Sequence, residues 1–157
     1  MQIRSFRQTD IPPLTEILRA SDMFRTEEIH VAVELMEIVA DDSSEEDYTM
    51  YTAVDETEKV LGYYCVGPTA MTAGTFDLYW IAVDPGIQRR GFGKQLLAHC
   101  EGLVRSQQGH LIVVETSSQE KYDSTRKFYE RTGYTEEARI RGYYSADDDL
   151  VIYTKHL

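Results

Sequence analysis

Gln88 to Lys94 reads QRRGFGK, two arginines ahead of two glycines spaced one residue apart and a lysine. Gly91 and Gly93 can take positive φ and let the backbone N–H groups around them point one way. A strand closes just before this stretch at Pro85, and a helix opens near Gly93, whose N-terminus adds roughly half a positive charge. Arg89, Arg90 and Lys94 put mobile cations at the rim, so the segment suits a phosphate or pyrophosphate. The spacing fits neither GxxxxGK[ST] nor GxGxxG, which argues against a nucleotide P-loop and a dinucleotide fold. A basic surface turn is the plainer alternative on these residues alone. The other unusual position is Glu115, a carboxylate inside the apolar run HLIVVETS. Burial there would raise its pKa toward the range of a general base; a structural hydrogen bond or ion pair is the alternative.

The elements that must hold these residues follow from periodicity. Residues 2–8 read as a strand, and Asp10 as the N-cap of a helix whose face is Ile11, Leu14, Ile17 and Leu18. Pro12 and Pro13 are tolerable in its first turn. A second helix over about 26–39 has the stripe Ile29, Val33 and Met36. The segment 41–47 is an acidic loop. Strands at 48–54 and 60–67 flank the polar turn DETEK as a hairpin, and TAG at 72–74 turns into a third strand, 75–84. The helix after QRRGFGK, about 93–107, carries Leu96, Leu97, Cys100, Leu103 and Val104 on one face and stops at Gly109. A strand at 110–117, apolar enough to be buried on both faces, precedes a helix over 124–131 ending at Gly133. Strands at 134–142 and 149–156 are joined by the polar loop YYSADDD. This order predicts a mixed α/β fold in one domain, residues 1–157. Its central sheet has about seven mostly antiparallel strands, four helices, and one parallel pair from 75–84 and 110–117.

Bulk properties bound the function. The chain has 157 residues and a formal net charge of −11, which argues against nucleic-acid binding, since phosphate backbones need clustered Lys and Arg. The same charge permits a cationic partner. No apolar run approaches the ~20 residues that span a bilayer, and the polar start MQIRSFRQTD is unlike a signal peptide, so a cytoplasmic location and no membrane partner are expected. Cys65 and Cys100 have no CxxC spacing and no histidine cluster, so no metal is expected.

The surroundings of QRRGFGK sharpen its meaning. IAVDPGIQRRGFGKQLL has the form V-x-P-x-x-Q-x-x-G-x-G at Val83, Pro85, Gln88, Gly91 and Gly93, and FYERTGY begins at Phe128. These two segments resemble the signature motifs of the GNAT superfamily of N-acetyltransferases, and the element order resembles that family's whole fold. The resemblance implies that Gln88, Arg89, Arg90, Gly91, Phe92, Gly93 and Lys94 cradle the pyrophosphate of acetyl-CoA. It implies that the strand edge at Ile81, Ala82 and Val83 bonds the pantetheine of coenzyme A, past a point where the parallel pair splays. Tyr129 matches the family tyrosine that acts as general acid to the departing thiolate. A phenol is protonated at neutral pH and can donate; packing beside Phe128 is the alternative. Glu115 matches the glutamate of related ribosomal-protein alanine N-acetyltransferases, which supports it as base, although water-mediated proton removal is common in the family. Tyr122 stands where many members carry an asparagine that contacts the cofactor.

The acceptor is less determined. Asp77 and Tyr79 could face the acceptor cleft from the preceding strand. Tyr143 and Tyr144 could line a groove, as a tyrosine-bearing hairpin does in protein N-terminal acetyltransferases; ordinary strand aromatics are the alternative. A small amine and a peptide or protein N-terminus both remain open. The four histidines form no nucleophile motif, so direct amine attack in a ternary complex is expected. Many relatives are dimers, which leaves a homodimer open. A non-catalytic acyl-CoA-binding domain is the alternative to an enzyme.

Overall fold

The computed structural model describes residues 1–41, 47–87 and 91–157. Its elements are β1 (Gln2–Ser5), α1 (Ile11–Ala20), α2 (Thr26–Asp41), β2 (Thr49–Val54), β3 (Val60–Pro68), β4 (Thr75–Val83), α3 (Phe92–Ser106), β5 (Leu111–Ser117), α4 (Asp123–Arg131), β6 (Thr135–Ser145) and β7 (Asp148–His156). The strands form one sheet in the order β1-β2-β3-β4-β5-β7-β6. The pair β4–β5 is parallel and the other neighbours are antiparallel, as the element order predicts. The wholly buried stretch from Val60 to Gly67 fits β3 as an interior strand of the sheet.

Each face of the sheet has its own core. Leu14, Ile17 and Leu18 of α1 and Ile29, Ala32 and Met36 of α2 pack with Tyr63, Cys65 and Ala82. Leu96, Leu97, Cys100 and Val104 of α3 pack on the opposite face with Phe76, Leu78, Ile112, Val114 and Tyr129. Strand alternation therefore sorts β4 and β5: Phe76, Leu78, Ile112 and Val114 face α3, while Asp77 and Glu115 point to the side of α1 and α2.

Several boundaries differ from the sequence expectation for identifiable reasons. The first strand ends at Ser5 and not at residue 8. Asp10 does not cap α1 with its side chain. Its buried carboxylate instead accepts from Arg4 Nη1 and Nη2 at 2.8 Å each, from the Arg7 amide at 2.9 Å and from Thr52 Oγ1 at 2.9 Å. That network bends the chain after β1 and ties it to β2. At the end of α3 the left-handed residue is Gln108, φ 62°, and Gly109 is required for space: a Cβ there would stand 2.7 Å from Phe76 Cε2. The polar loop expected at YYSADDD is shorter, because Tyr143, Tyr144 and Ser145 belong to β6. β6 is the sheet edge and exposed along its whole length, and its Glu136, Glu137, Arg139 and Arg141 are the kind of charges that guard an unpaired edge.

Candidate active site

The feature that opens a site is the limited pairing of β4 with β5. Three register pairs join them, Thr75 with Leu111, Phe76 with Ile112 and Asp77 with Val113. Beyond Asp77, β4 carries a bulge: Cys65 of β3 opposes Trp80 and Val66 opposes Leu78, leaving Tyr79 as the extra residue. A bulge bends its strand and increases local twist, and here it turns β4 away from β5 immediately after the last shared pair. A cavity of about 340 Å³ lies between the separated ends. Tyr79, Trp80, Ile81, Ala82 and Val83 line one wall, Glu115, Thr116 and Ser117 the other, and Tyr129 stands among the residues between them.

The expected site residues are placed differently, and Asp77, still paired with Val113, does not line the cavity. Ile81, Ala82, Val83, Glu115, Tyr79, Tyr122, Tyr129 and Tyr144 line the cavity. Gly91, Phe92, Gly93 and Lys94 form the start of α3 just past the end of β4. A Cβ on Gly93 would sit 3.5 Å from Phe128 Cε2 and 3.8 Å from Val83 Cγ2, so this first turn packs against both β4 and α4. Gly91 has φ 81° and, among the described residues, no side-chain cap serves the helix, so its first-turn amides suit an anion. Gln88, Arg89 and Arg90 lie outside the described residues, as do residues 42–46 of the acidic loop. Tyr143 does not line the cavity; it is exposed and meets Tyr144 edge-on with ring centroids 5.0 Å apart.

Glu115 corrects one expectation. The apolar run of β5 implies burial on both faces, yet Glu115 is exposed at the cleft, because α1 and α2 cover the sheet only as far as β4. Partial desolvation followed by the Asp77 carboxylate still raises its pKa above the usual carboxylate value. Asp77 is held by Thr69 Oγ1 at 2.8 Å. Tyr129 is 4% exposed, and burial pushes its phenol well above the ordinary value near 10. Tyr79 is pushed up to about 12, by burial first and then by Asp77, and its ring meets Tyr48 at 5.2 Å.

Tyr122 is engaged differently from the expectation at that position. Its hydroxyl donates to the Met23 carbonyl at 2.9 Å. Met23, Phe24, Arg25 and Glu28, from the α1–α2 loop and the start of α2, also line the cavity, and sequence reading does not reach them. Met23 meets Tyr122 99 positions away, and no local pattern marks such a pairing. Trp80, the single tryptophan, offered the one compositional hint; it packs on Phe24 at 5.2 Å. Asp148 belongs to the acidic run 147–149, whose charge suggests a solvated loop that draws in a cationic amine, but it opens β7 instead. It is buried and accepts from Ser117 Oγ at 2.6 Å, which fixes the end of β5 beside the cavity.

Comparison with known proteins fits this geometry. A family model described as an acetyltransferase (GNAT) domain matches residues 46–136. A GNAT-family protein of known structure from Desulfovibrio desulfuricans is 37% identical, with 99% of this chain and 98% of that one covered and a TM-score of 0.94. The chain belongs to the GNAT acetyltransferase family. An aminoglycoside 6'-N-acetyltransferase in complex with coenzyme A is 18% identical over 99% of this chain and 97% of its own, with a TM-score of 0.79. The ribosomal-protein-alanine N-acetyltransferase of Brucella melitensis is 19% identical over 100% of both chains, with a TM-score of 0.76. At these identities the latter two share the fold and carry no acceptor assignment. A curated sequence match, the Dorsal-ventral patterning protein tolloid of Drosophila melanogaster, is 36% identical over 64 residues, 38% of this chain and 6% of that protein. The chain thus spans a small fraction of that relative. Among the described residues no helix is long and apolar enough to cross a membrane, and no cluster of His, Cys, Asp or Glu is arranged to hold a metal ion.

Proposed function

We propose that residues 1–157 act as one acetyl-CoA-dependent N-acetyltransferase unit, in which an amine attacks the thioester directly in a ternary complex. The observation that carries this reading is the loss of β4–β5 pairing after Asp77, which places a strand edge, a carboxylate and a buried phenol around one cavity. The CoA-bound relative supports coenzyme A as the group the cavity accepts.

Each residue has a definable task. The first-turn amides of α3, from Phe92 to Lys94, donate to the pyrophosphate, with Gly91 providing the turn and Lys94 a mobile cation; Gln88, Arg89 and Arg90 complete the cradle. Backbone groups at Ile81, Ala82 and Val83 take the place of a strand partner for the pantetheine, and an amide there polarises the thioester carbonyl as negative charge develops on its oxygen. Glu115 accepts the amine proton, directly or through water, and its raised pKa makes it a better base than an ordinary carboxylate. Tyr129 faces the leaving sulfur. A thiol has a pKa near 8.5, well below that of this phenol, so full proton transfer to the thiolate is uphill and Tyr129 stabilises it by donating a hydrogen bond.

Among the described residues of the lining, Glu28, Glu115 and Asp148 outnumber Arg25 and Lys121, which supports a cationic amine as acceptor. Tyr79 and Tyr144 border that side, Asp77 acts on it through its charge on Glu115, and Tyr143 lies at its outer edge. The test is thiol release from acetyl-CoA with a diamine, an aminoglycoside and a peptide bearing a free α-amine. Turnover with at least one, and initial-velocity lines that converge, are the expected result. Absence of thiol release with every amine class would remove the reading, and parallel lines would replace direct attack by a covalent intermediate.

A further inference from the structure

The α1–α2 loop is held in place by residues that the cofactor does not need. Asp22 turns the chain after α1 with φ 53°, a conformation aspartate tolerates better than most residues. Immediately beyond it, the Met23 carbonyl accepts from Lys121 Nζ at 2.9 Å and from Tyr122 Oη at 2.9 Å. A carbonyl oxygen has two lone pairs, and here each has a donor. Phe24 then packs on Trp80, and Glu28 closes the segment by accepting from the Arg25 amide at 2.7 Å. Three attachments thus fasten a short loop to β4 and to the β5–α4 connection, and Met23, Phe24, Arg25 and Glu28 all border the cavity.

The position of this loop decides what it serves. It covers the sheet face of Trp80 and Ala82, the face shared with α1 and α2, and the one from which Glu115 projects. α3, whose N-terminus meets the pyrophosphate, packs on the opposite face. The single phenolic proton of Tyr122 is committed to Met23, so it is not offered to the cofactor. We infer that Lys121 and Tyr122 are positioning residues that hold the α1–α2 loop as a wall of the acceptor site, with Tyr122 serving the amine side of the cleft and not the coenzyme A side. The inference rests on the acetyltransferase reading for the identity of the two sides.

Tyr122→Phe, Lys121→Met and the double variant test it by hydrogen exchange over residues 21–28 and by calorimetric affinity for coenzyme A. In the double variant, loss of both bonds should speed exchange over 21–28 by about tenfold or more while coenzyme A affinity stays within about twofold. With whichever of the diamine, aminoglycoside or peptide probes the wild type acetylates, the acceptor KM should rise at least about fivefold and the acetyl-CoA KM stay within about twofold. Unchanged exchange over 21–28 would overturn the inference. So would a loss of coenzyme A affinity of about tenfold, whatever the loop does, because it would return the phenol to the cofactor. Failure of the acetyltransferase reading shows separately, as a wild type inert toward every amine, and leaves the exchange and affinity measurements decisive for the loop.

Discussion

Gly91→Ala separates the anion cradle from the fold that carries it. Gly91 is the N-cap of α3 with φ 81°, a region that costs a residue with a Cβ roughly 1–2 kcal/mol. That strain is the whole expected folding penalty, because among the described residues an added Cβ meets nothing within 4 Å. For a chain of this size it corresponds to a fall in Tm of roughly 2–8 °C. On the proposed placement, a pyrophosphate oxygen approaches the first-turn amides through this space, so the methyl group would stand between anion and donors. The KM for acetyl-CoA should therefore rise by at least about tenfold, equivalent to about 1.4 kcal/mol, with a smaller change in kcat. Gly93→Ala is the contrast. Its Cβ would make ordinary contact with Phe128 at 3.5 Å at a helical position where alanine is favoured, so its Tm should not fall. Thermal unfolding and steady-state thiol release read both effects. A normal KM in Gly91→Ala, with the Tm lowered as expected, would refute the placement of the pyrophosphate at this helix start.

Tyr129→Phe should lower kcat by roughly tenfold to a hundredfold with KM values retained, measured by thiol release; an unchanged kcat would reduce Tyr129 to a packing residue. Glu115 must be ionised to act as base, so activity should rise with pH through its raised pKa. The kcat/KM profile of Glu115→Gln should lose that acidic limb, and Asp77→Asn should move the limb to lower pH by removing the neighbouring negative charge. Asp10 predicts stability. Burial alone would raise its pKa, but the hydrogen bonds from Arg4, the Arg7 amide and Thr52 outweigh it and the folded value is lowered. Its contribution is thus present above the unfolded carboxylate value near 3.9 and is lost as pH falls through the folded value. Asp10→Ala, which leaves Arg4 without its buried partner, should cost about 3 kcal/mol in denaturant unfolding at neutral pH, and less as the pH approaches 2.

The element order was legible because periodicity and turn residues agree along most of the chain. Gly74 turns the chain into β4 and Gly133 follows the end of α4, both with positive φ, and the continuous apolar character of 60–67 matches a strand covered on both faces. The family resemblance supplied the cofactor side of the site, since its motif is contiguous from Val83 to Gly93. What escaped depends on contacts distant in sequence. The exposure of Glu115 follows from where α1 and α2 stop covering the sheet, which the composition of β5 does not encode. Asp10 looks like a helix cap locally, while its actual partners Arg4 and Thr52 come from two strands. Tyr122, at a position associated with the cofactor, donates to the Met23 main-chain carbonyl, a partner with no side-chain signature. The bulge at Tyr79, which opens the cleft, needs the β3 register to be seen.

Transfer of labelled acetyl groups tests the central claim most directly. Protein incubated with acetyl-CoA labelled in the acetyl group and with the three amine probes should place label on the nitrogen of at least one, release coenzyme A in equal amount, and leave none on acid-precipitated protein. Coenzyme A bound at the cleft with no label on any amine, or label retained on the protein, would contradict direct amine acetylation at this site.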